Sequence, residues 1–226
     1  MKIFCVIPAW NESHNIIETI QKVLNYVDFL VIVDDCSSDD TLIKAQELES
    51  AHSEKIKVLH HPINLDQGAA LQTGHEYAIN HGAEIIIDFD ADGQFLAEEI
   101  PDIIEPLIKE DYDLVLGSRF LEKKSDIPKF KKNIIMPLAK IFNFVFFGIK
   151  TSDPQSGFRA MTVETVKKIV IENNHMAHCT EILAKAYNYK LKIKEVPITV
   201  IYKRYGQKFF GGFKIIKDLF FKKIIG

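Results

Sequence analysis

The sharpest chemical signal in the chain is the run IIIDFDADGQ, in which Asp88, Asp90 and Asp92 alternate directly after an apolar stretch. Two acids one residue apart on a turning loop can reach one hard cation, and Mg²⁺ or Mn²⁺ takes such oxygen ligands together with water and phosphate. An Asp-rich strand-end turn with no metal explains the same residues equally well. Asp88 belongs to the strand and reads as structural. An EF-hand does not fit, because the loop lacks the regular acid spacing and the closing Glu. A second acidic strand end is Asp34-Asp35-Cys36-Ser37-Ser38-Asp39. A carboxylate there can accept from a base N–H or a ribose hydroxyl, or the segment can cap the next helix. Both roles can coexist, with Asp35 facing ligand and Asp39 capping.

Several short elements must position these groups. Ile3–Ile7, Phe29–Val33, Ile56–Leu59, Ile85–Ile87 and Leu114–Leu116 are apolar runs that read as buried strands. Helices are expected from about Ser13, from Asp39-Asp40, over Gln67–Asn80 and around Pro101, where a proline in the first turn costs little. Alternating strands and helices with short connections predict an α/β fold, a mostly parallel central sheet with helices on both faces. Ligands bind outside the carboxyl ends of such strands. There the polar residues collect: Asn11 and Glu12, Asp34 and Asp35, Asp90 and Asp92, and Arg119. Beyond Arg119 the pattern changes. Ser152–Ala160 reads as a polar loop, Val163–Glu172 and Cys179–Tyr187 as helices, Leu191–Ile201 as one or two strands, and Phe213–Ile225 as an amphipathic helix. One domain over residues 1–226 is the simplest organisation.

Composition agrees with a folded chain: 47% hydrophobic and 26% charged residues over 226 positions. The formal charge of −3 hides an asymmetry, since the segment from Lys203 onward carries +6 and the rest −9. The basic residues do not cover a broad face, which argues against nucleic acid as a partner. Cys5, Cys36 and Cys179 are too dispersed for structural zinc and suit a reducing compartment. The first residues enter a strand directly and are not read as a signal peptide. Lys129–Gly148 and Phe209–Gly226 set basic residues beside large apolar ones. Each reads as a membrane-interface segment, a core-facing helix or a dimer contact.

The ordered set VIPAWNE (Val6–Glu12), VDDCSSDDT (Val33–Thr41), NLDQGAALQTG (Asn64–Gly74), DFDADGQ (Asp88–Gln94), GSRF (Gly117–Phe120) and DPQSGFRAM (Asp153–Met161) resembles the family 2 glycosyltransferases. Within them it is most similar to the dolichyl- or polyprenyl-phosphate mannosyltransferase type. The resemblance implies a Rossmann-like GT-A fold and an inverting, metal-dependent transfer from a UDP-, GDP- or dTDP-sugar to a polyprenyl phosphate. A saccharide hydroxyl in cell-surface polysaccharide synthesis is the alternative acceptor, and a non-catalytic nucleotide-sugar-binding subunit the alternative role. Pro8, Ala9, Trp10, Asn11, Glu12, Asp35, Gly68, Asp90 and Ala91 would line the nucleotide-sugar pocket. Asp90, Asp92 and Gln94 would hold Mg²⁺ or Mn²⁺. Arg119, Arg204 and Lys208 would meet phosphate. Asp92, Arg119 and Asp153 would be catalytic, with Asp153 as a general base for a hydroxyl acceptor, or else a helix cap or a partner for Arg159. Arg159 reads as structural. A cytoplasmic location, peripheral at the membrane face or beside a membrane-protein partner, follows from the lipid acceptor. Asp66 stands where the family often has Gly, and Gly206-Gln207-Lys208 replaces its usual Gly-x-Ser-Lys.

Overall fold

Residues Phe4–Ala9 are buried without a break, so the strand they form must be covered on both faces. This strand, β1 (Ile3–Ala9), is central in a seven-stranded sheet of a computed structural model that describes residues 1–121, 151–173 and 177–201. The chain continues through α1 (Ile16–Val23), β2 (Phe29–Asp34), α2 (Thr41–Ala51), β3 (Ile56–His60), α3 (Asp66–Asn80) and β4 (Ile85–Asp88). Then come α4 (Ile100–Lys109), β5 (Leu114–Ser118), β6 (Arg159–Thr162), α5 (Val163–Lys168), α6 (Ala177–Asn188) and β7 (Ile193–Pro197).

The strand order is β3-β2-β1-β4-β6-β5-β7. All pairings are parallel except those of β6, which runs antiparallel to both β4 and β5. Side-chain alternation divides the core into two layers. Cys5, Ile7, Ile32 and Ile87 pack with Ile16, Ile20, Ile100 and Ile103 of α1 and α4. Phe4, Val6, Val33 and Ile86 pack on the other face with Ala70 and Leu71 of α3 and Ile182 and Leu183 of α6. Helix α3 lies close on β1 because Gly74 has no side chain; a Cβ there would sit 2.2 Å from Val6 Cγ1.

Two sequence expectations need correction. Arg159 and Ala160 end no loop; they open β6, which pairs in the register Asp88↔Arg159 and Leu116↔Arg159. The helix expected over Val163–Glu172 stops at Lys168, because the chain beyond it turns inward. Ile169 and Ile171 join the core, and the Ile171 N–H donates to Gln72 Oε1 (2.8 Å). The segments 129–148 and 209–226, the helix expected at Phe213–Ile225, and Arg204 and Lys208 lie outside the described residues. Among the described residues no helix is long and apolar enough to cross a membrane.

Candidate active site

The carboxyl ends of the parallel strands and the start of β6 share one edge of the sheet, because an antiparallel strand enters where its neighbours leave. After β1, Asn11 takes a left-handed backbone (φ 55°), and the loop is stitched to the one after β2. Asn11 N–H donates to Ser37 Oγ (2.9 Å), Ser38 N–H to Asn11 Oδ1 (2.8 Å) and Glu12 N–H to Thr41 Oγ1 (2.8 Å). Asp39 accepts from the N–H of Thr41, the first residue of α2, at 3.0 Å, and from Ser13 N–H at 3.2 Å. These bonds outweigh its partial burial and hold its carboxyl at about 2. Asp39 thus holds the entry to α2 from one residue before the N-cap, Asp40, whose own side chain makes no capping bond. Pro8 and Ala9 are buried beneath the loop, while Trp10 is 57% exposed at its tip.

Behind this rim, acids pair with histidines. Asp34 Oδ2 meets His60 Nδ1 at 3.0 Å. Asp35 Oδ1 meets His61 Nδ1 at 2.7 Å and accepts from Leu65 N–H at 2.9 Å, which ties down the loop between β3 and α3. Any nucleoside contact by Asp35 therefore falls to its other oxygen. Asp88 is buried in β4 between His75 Nε2 (2.6 Å) and Arg159 Nε (3.2 Å). Burial alone would raise its carboxyl, but the charges of His75 and Arg159 win and lower it. Asp88 and Arg159 are structural. Gly68 is buried where a Cβ would lie 2.3 Å from the Asn173 carbonyl, so its lack of a side chain is explained by packing.

Asp90 has the opposite surroundings from Asp88. Gln67 Nε2 donates to its Oδ1 (2.8 Å), and a Cβ on Gly157 would press to 2.3 Å from its Oδ2. Burial and then the charge of Asp92 raise its carboxyl to about 7. Asp92 Oδ1 accepts from Gln94 N–H (3.0 Å) in a turn whose Gly93 has φ 67°. The turn is pinned at both ends: the Ala91 carbonyl accepts from Thr19 Oγ1 (3.3 Å), and the Gln94 carbonyl from Ile201 N–H (2.9 Å). Two carboxylates that repel one another suit a hard divalent cation, which would relieve that repulsion. Among the described residues no group of three His, Cys, Asp or Glu converges, so the remaining ligands would be water, substrate oxygens or an amide.

Across the edge, Arg119 after β5 grips Asp153: Nε donates to Oδ2 and Nη2 to Oδ1, both at 2.6 Å, and the Arg119 N–H adds a bond to Oδ2 at 3.2 Å. Asp153 is fully buried. Its partner is Arg119 and not Arg159, because the loop before β6 enters beside the end of β5. Both Asp153 oxygens bond the guanidinium, an arrangement that orients Arg119. The sequence reading did not single out Gln67, Gly157, His61, His75 or Cys179 as parts of this region. Cys179 is buried against His178 Nε2 (3.3 Å) and Arg159 Nη2 (3.5 Å). Burial would raise its thiol, yet His178 and Arg159 hold it at about 6. Gln67 and Gly157 lie inside the family motifs; the histidines and Cys179 carry no local signal.

Residues 4–170 match the sequence profile described as Glycosyl transferase family 2. The chain belongs to that family. An uncharacterized protein of Methanocaldococcus jannaschii is 36% identical to this glycosyltransferase over 99% of the chain and 93% of that protein. The UDP-N-acetylglucosamine–dolichyl-phosphate N-acetylglucosaminyltransferase of Methanococcus voltae is 33% identical over 98% of the chain and 96% of its own length. Among solved structures, glucosyl-3-phosphoglycerate synthase from Mycobacterium tuberculosis, crystallised with Mn²⁺ and UDP-glucose, superposes with a TM-score of 0.69 over 96% of this chain and 77% of that one. At 19% identity that likeness speaks for the fold alone, which is GT-A.

Proposed function

We propose that this glycosyltransferase moves a sugar from a nucleoside diphosphate to a polyprenyl phosphate, with inversion, using Mg²⁺ or Mn²⁺. The observation that carries the reading is one sheet edge holding two mutually repelling carboxylates, Asp90 and Asp92, and an arginine fork, Arg119. The acceptor is inferred from the Methanococcus voltae relative, which is named for dolichyl phosphate and matches nearly end to end.

Asp90 and Asp92 would hold the cation, with Gln94 beside them. The cation would supply neutralisation of the pyrophosphate as it leaves the anomeric carbon. Gln67 keeps Asp90 in place, and the Thr19 and Ile201 contacts keep the Ala91–Gln94 turn rigid, so little reorganisation accompanies charge development. Pro8 to Glu12 and the second oxygen of Asp35 would line the nucleoside side. Arg119, oriented by Asp153, would meet a phosphate oxyanion bidentately. Arg204 and Lys208 would add positive charge. A lipid phosphate is already ionised near neutral pH and needs no general base, which leaves Asp153 the task of orienting Arg119. Peripheral contact with the cytoplasmic membrane face follows from such an acceptor.

The test is a thermal-shift series with UDP, GDP and dTDP, each with and without Mn²⁺, followed by transfer assays with the matching sugar nucleotides and a polyprenyl phosphate. UDP with Mn²⁺ should give the largest shift and radiolabel should move into the lipid. Transfer to a saccharide hydroxyl but never to lipid phosphate would refute the acceptor. No nucleotide-dependent shift would refute the donor.

A further inference from the structure

Glu195 lies on β7 opposite Leu116 of β5, on an edge strand three strands from β4, which leads into the paired aspartates. A glutamate in a strand of the sequence IKEVP has no obvious reason to turn inward. Its carboxylate nevertheless collects the polar groups of the turn that carries Asp153. Ser152 N–H donates to both oxygens at 2.8 Å, Ser152 Oγ to Oε1 at 2.6 Å, and Asp153 N–H to Oε1 at 3.1 Å.

The donor directions around it are fixed. Phe120 N–H donates to Ser118 Oγ (3.2 Å), Ser118 Oγ lies against Ser152 Oγ, and an ionised Glu195 can only accept. If Ser152 gives its single proton to Glu195, then Ser118 must give its own to Ser152. A one-way chain results, from the Phe120 amide through two hydroxyls to the carboxylate, and such chains reinforce each member. The residue between Ser118 and Phe120 is Arg119, and the residue after Ser152 is Asp153. The chain therefore clamps both backbones that bear the arginine–aspartate pair.

We propose that Glu195 is a positioning residue for transfer: through Ser152, Ser118 and Asp153 it fixes the direction in which Arg119 presents its guanidinium to a phosphate oxyanion. The oxyanion rests on the function proposed above; the clamp does not. Glu195→Gln keeps the shape but replaces one acceptor oxygen by an NH₂ group that would face the Ser152 N–H.

Two measurements on the full chain decide it. The first is hydrogen exchange of the Arg119 side-chain Nε–H by NMR, assigned with Arg119→Lys. It should speed up roughly tenfold or more in Glu195→Gln, the scale of one lost bond to a charged group, and by less in Ser152→Ala. The second is a cycle on kcat/KM for lipid phosphate. Glu195→Gln should lower it about tenfold in the wild-type background and add nothing in an Arg119→Ala background. Unchanged Nε–H exchange overturns the proposal, and so do additive losses in the cycle. Should Glu195→Gln fail to fold, Ser152→Ala, which leaves both charges in place, decides by the same two readouts. A wild-type chain that transfers no sugar refutes the proposed function, and the exchange measurement still decides the clamp.

Discussion

The two halves of the sheet satisfy their acids with different partners. In the parallel half, β3-β2-β1-β4, Asp34, Asp35 and Asp88 pair with His60, His61 and His75. In the half formed by β6, β5 and β7, Asp153 pairs with an arginine and Glu195 with backbone amides and the Ser152 hydroxyl. Beyond these pairs the first half sets Asp92 near Asp90, whose carboxyl its charge raises, and a cation would sit there. The second half sets a permanent cation at its own rim, where a phosphate would sit. Within the first half Asp88 and Asp90, two residues apart, differ as well: one is lowered by His75 and Arg159, the other raised by burial and Asp92.

The largest effect expected from breaking this contrast is at Asp92. Asp92→Ala should reduce transfer by at least about a hundredfold and erase the Mn²⁺-dependent part of the nucleotide thermal shift. An unchanged shift would remove Asp92 as a ligand. Next is Arg159→Met, which leaves Asp88 with His75 alone in the core. Urea unfolding should show a loss of roughly 3–5 kcal/mol, the cost of breaking a buried pair. Gly157→Ala drives a methyl against Asp90 and should cost about 1–3 kcal/mol as overpacking; calorimetry should show weakened Mn²⁺ binding as well. Acidity gives a gentler probe. Asp90 at about 7 lies above its ordinary 3.8, so between those values the native chain keeps a proton that the unfolded chain has released. Its contribution to stability is complete below the ordinary value and is lost as pH rises toward 7. Metal-free melts at pH 5 and pH 8 should differ more for wild type than for Asp90→Asn. The smallest change is Asp66→Gly. Asp66 has φ 70°, a conformation that a glycine adopts without strain. Relief of that backbone and the added chain entropy oppose one another, and stability should move by less than about 1 kcal/mol.

The parallel half was legible because β1, β2 and β4 are largely apolar runs and β2 and β4 run into acids; β1, β2, β3 and β4 fall within two residues of the expected bounds. Strand β6 was not, because DPQSGFRA has a proline, a glycine and a charge where a strand should be apolar. Arg159 is a buried strand residue only because Asp88 waits for it across the ladder. Pairing was the other hidden quantity. That Asp153 meets Arg119, 34 positions away, depends on the direction of β6, and no spacing rule carries that information. Gly157 and Gln67 were quoted within motifs, but their service to Asp90 is visible only in three dimensions.

The reversed direction of β6 also bears on changes of chain length. Ser118 and Ser152 touch across the two ends of a long excursion of chain, and Arg119 and Asp153 lock beside them. With both ends fastened, lengthening or exchanging what runs between them adds only a slowly growing closure entropy. Changes of length between positions 121 and 151 should therefore cost the described frame little.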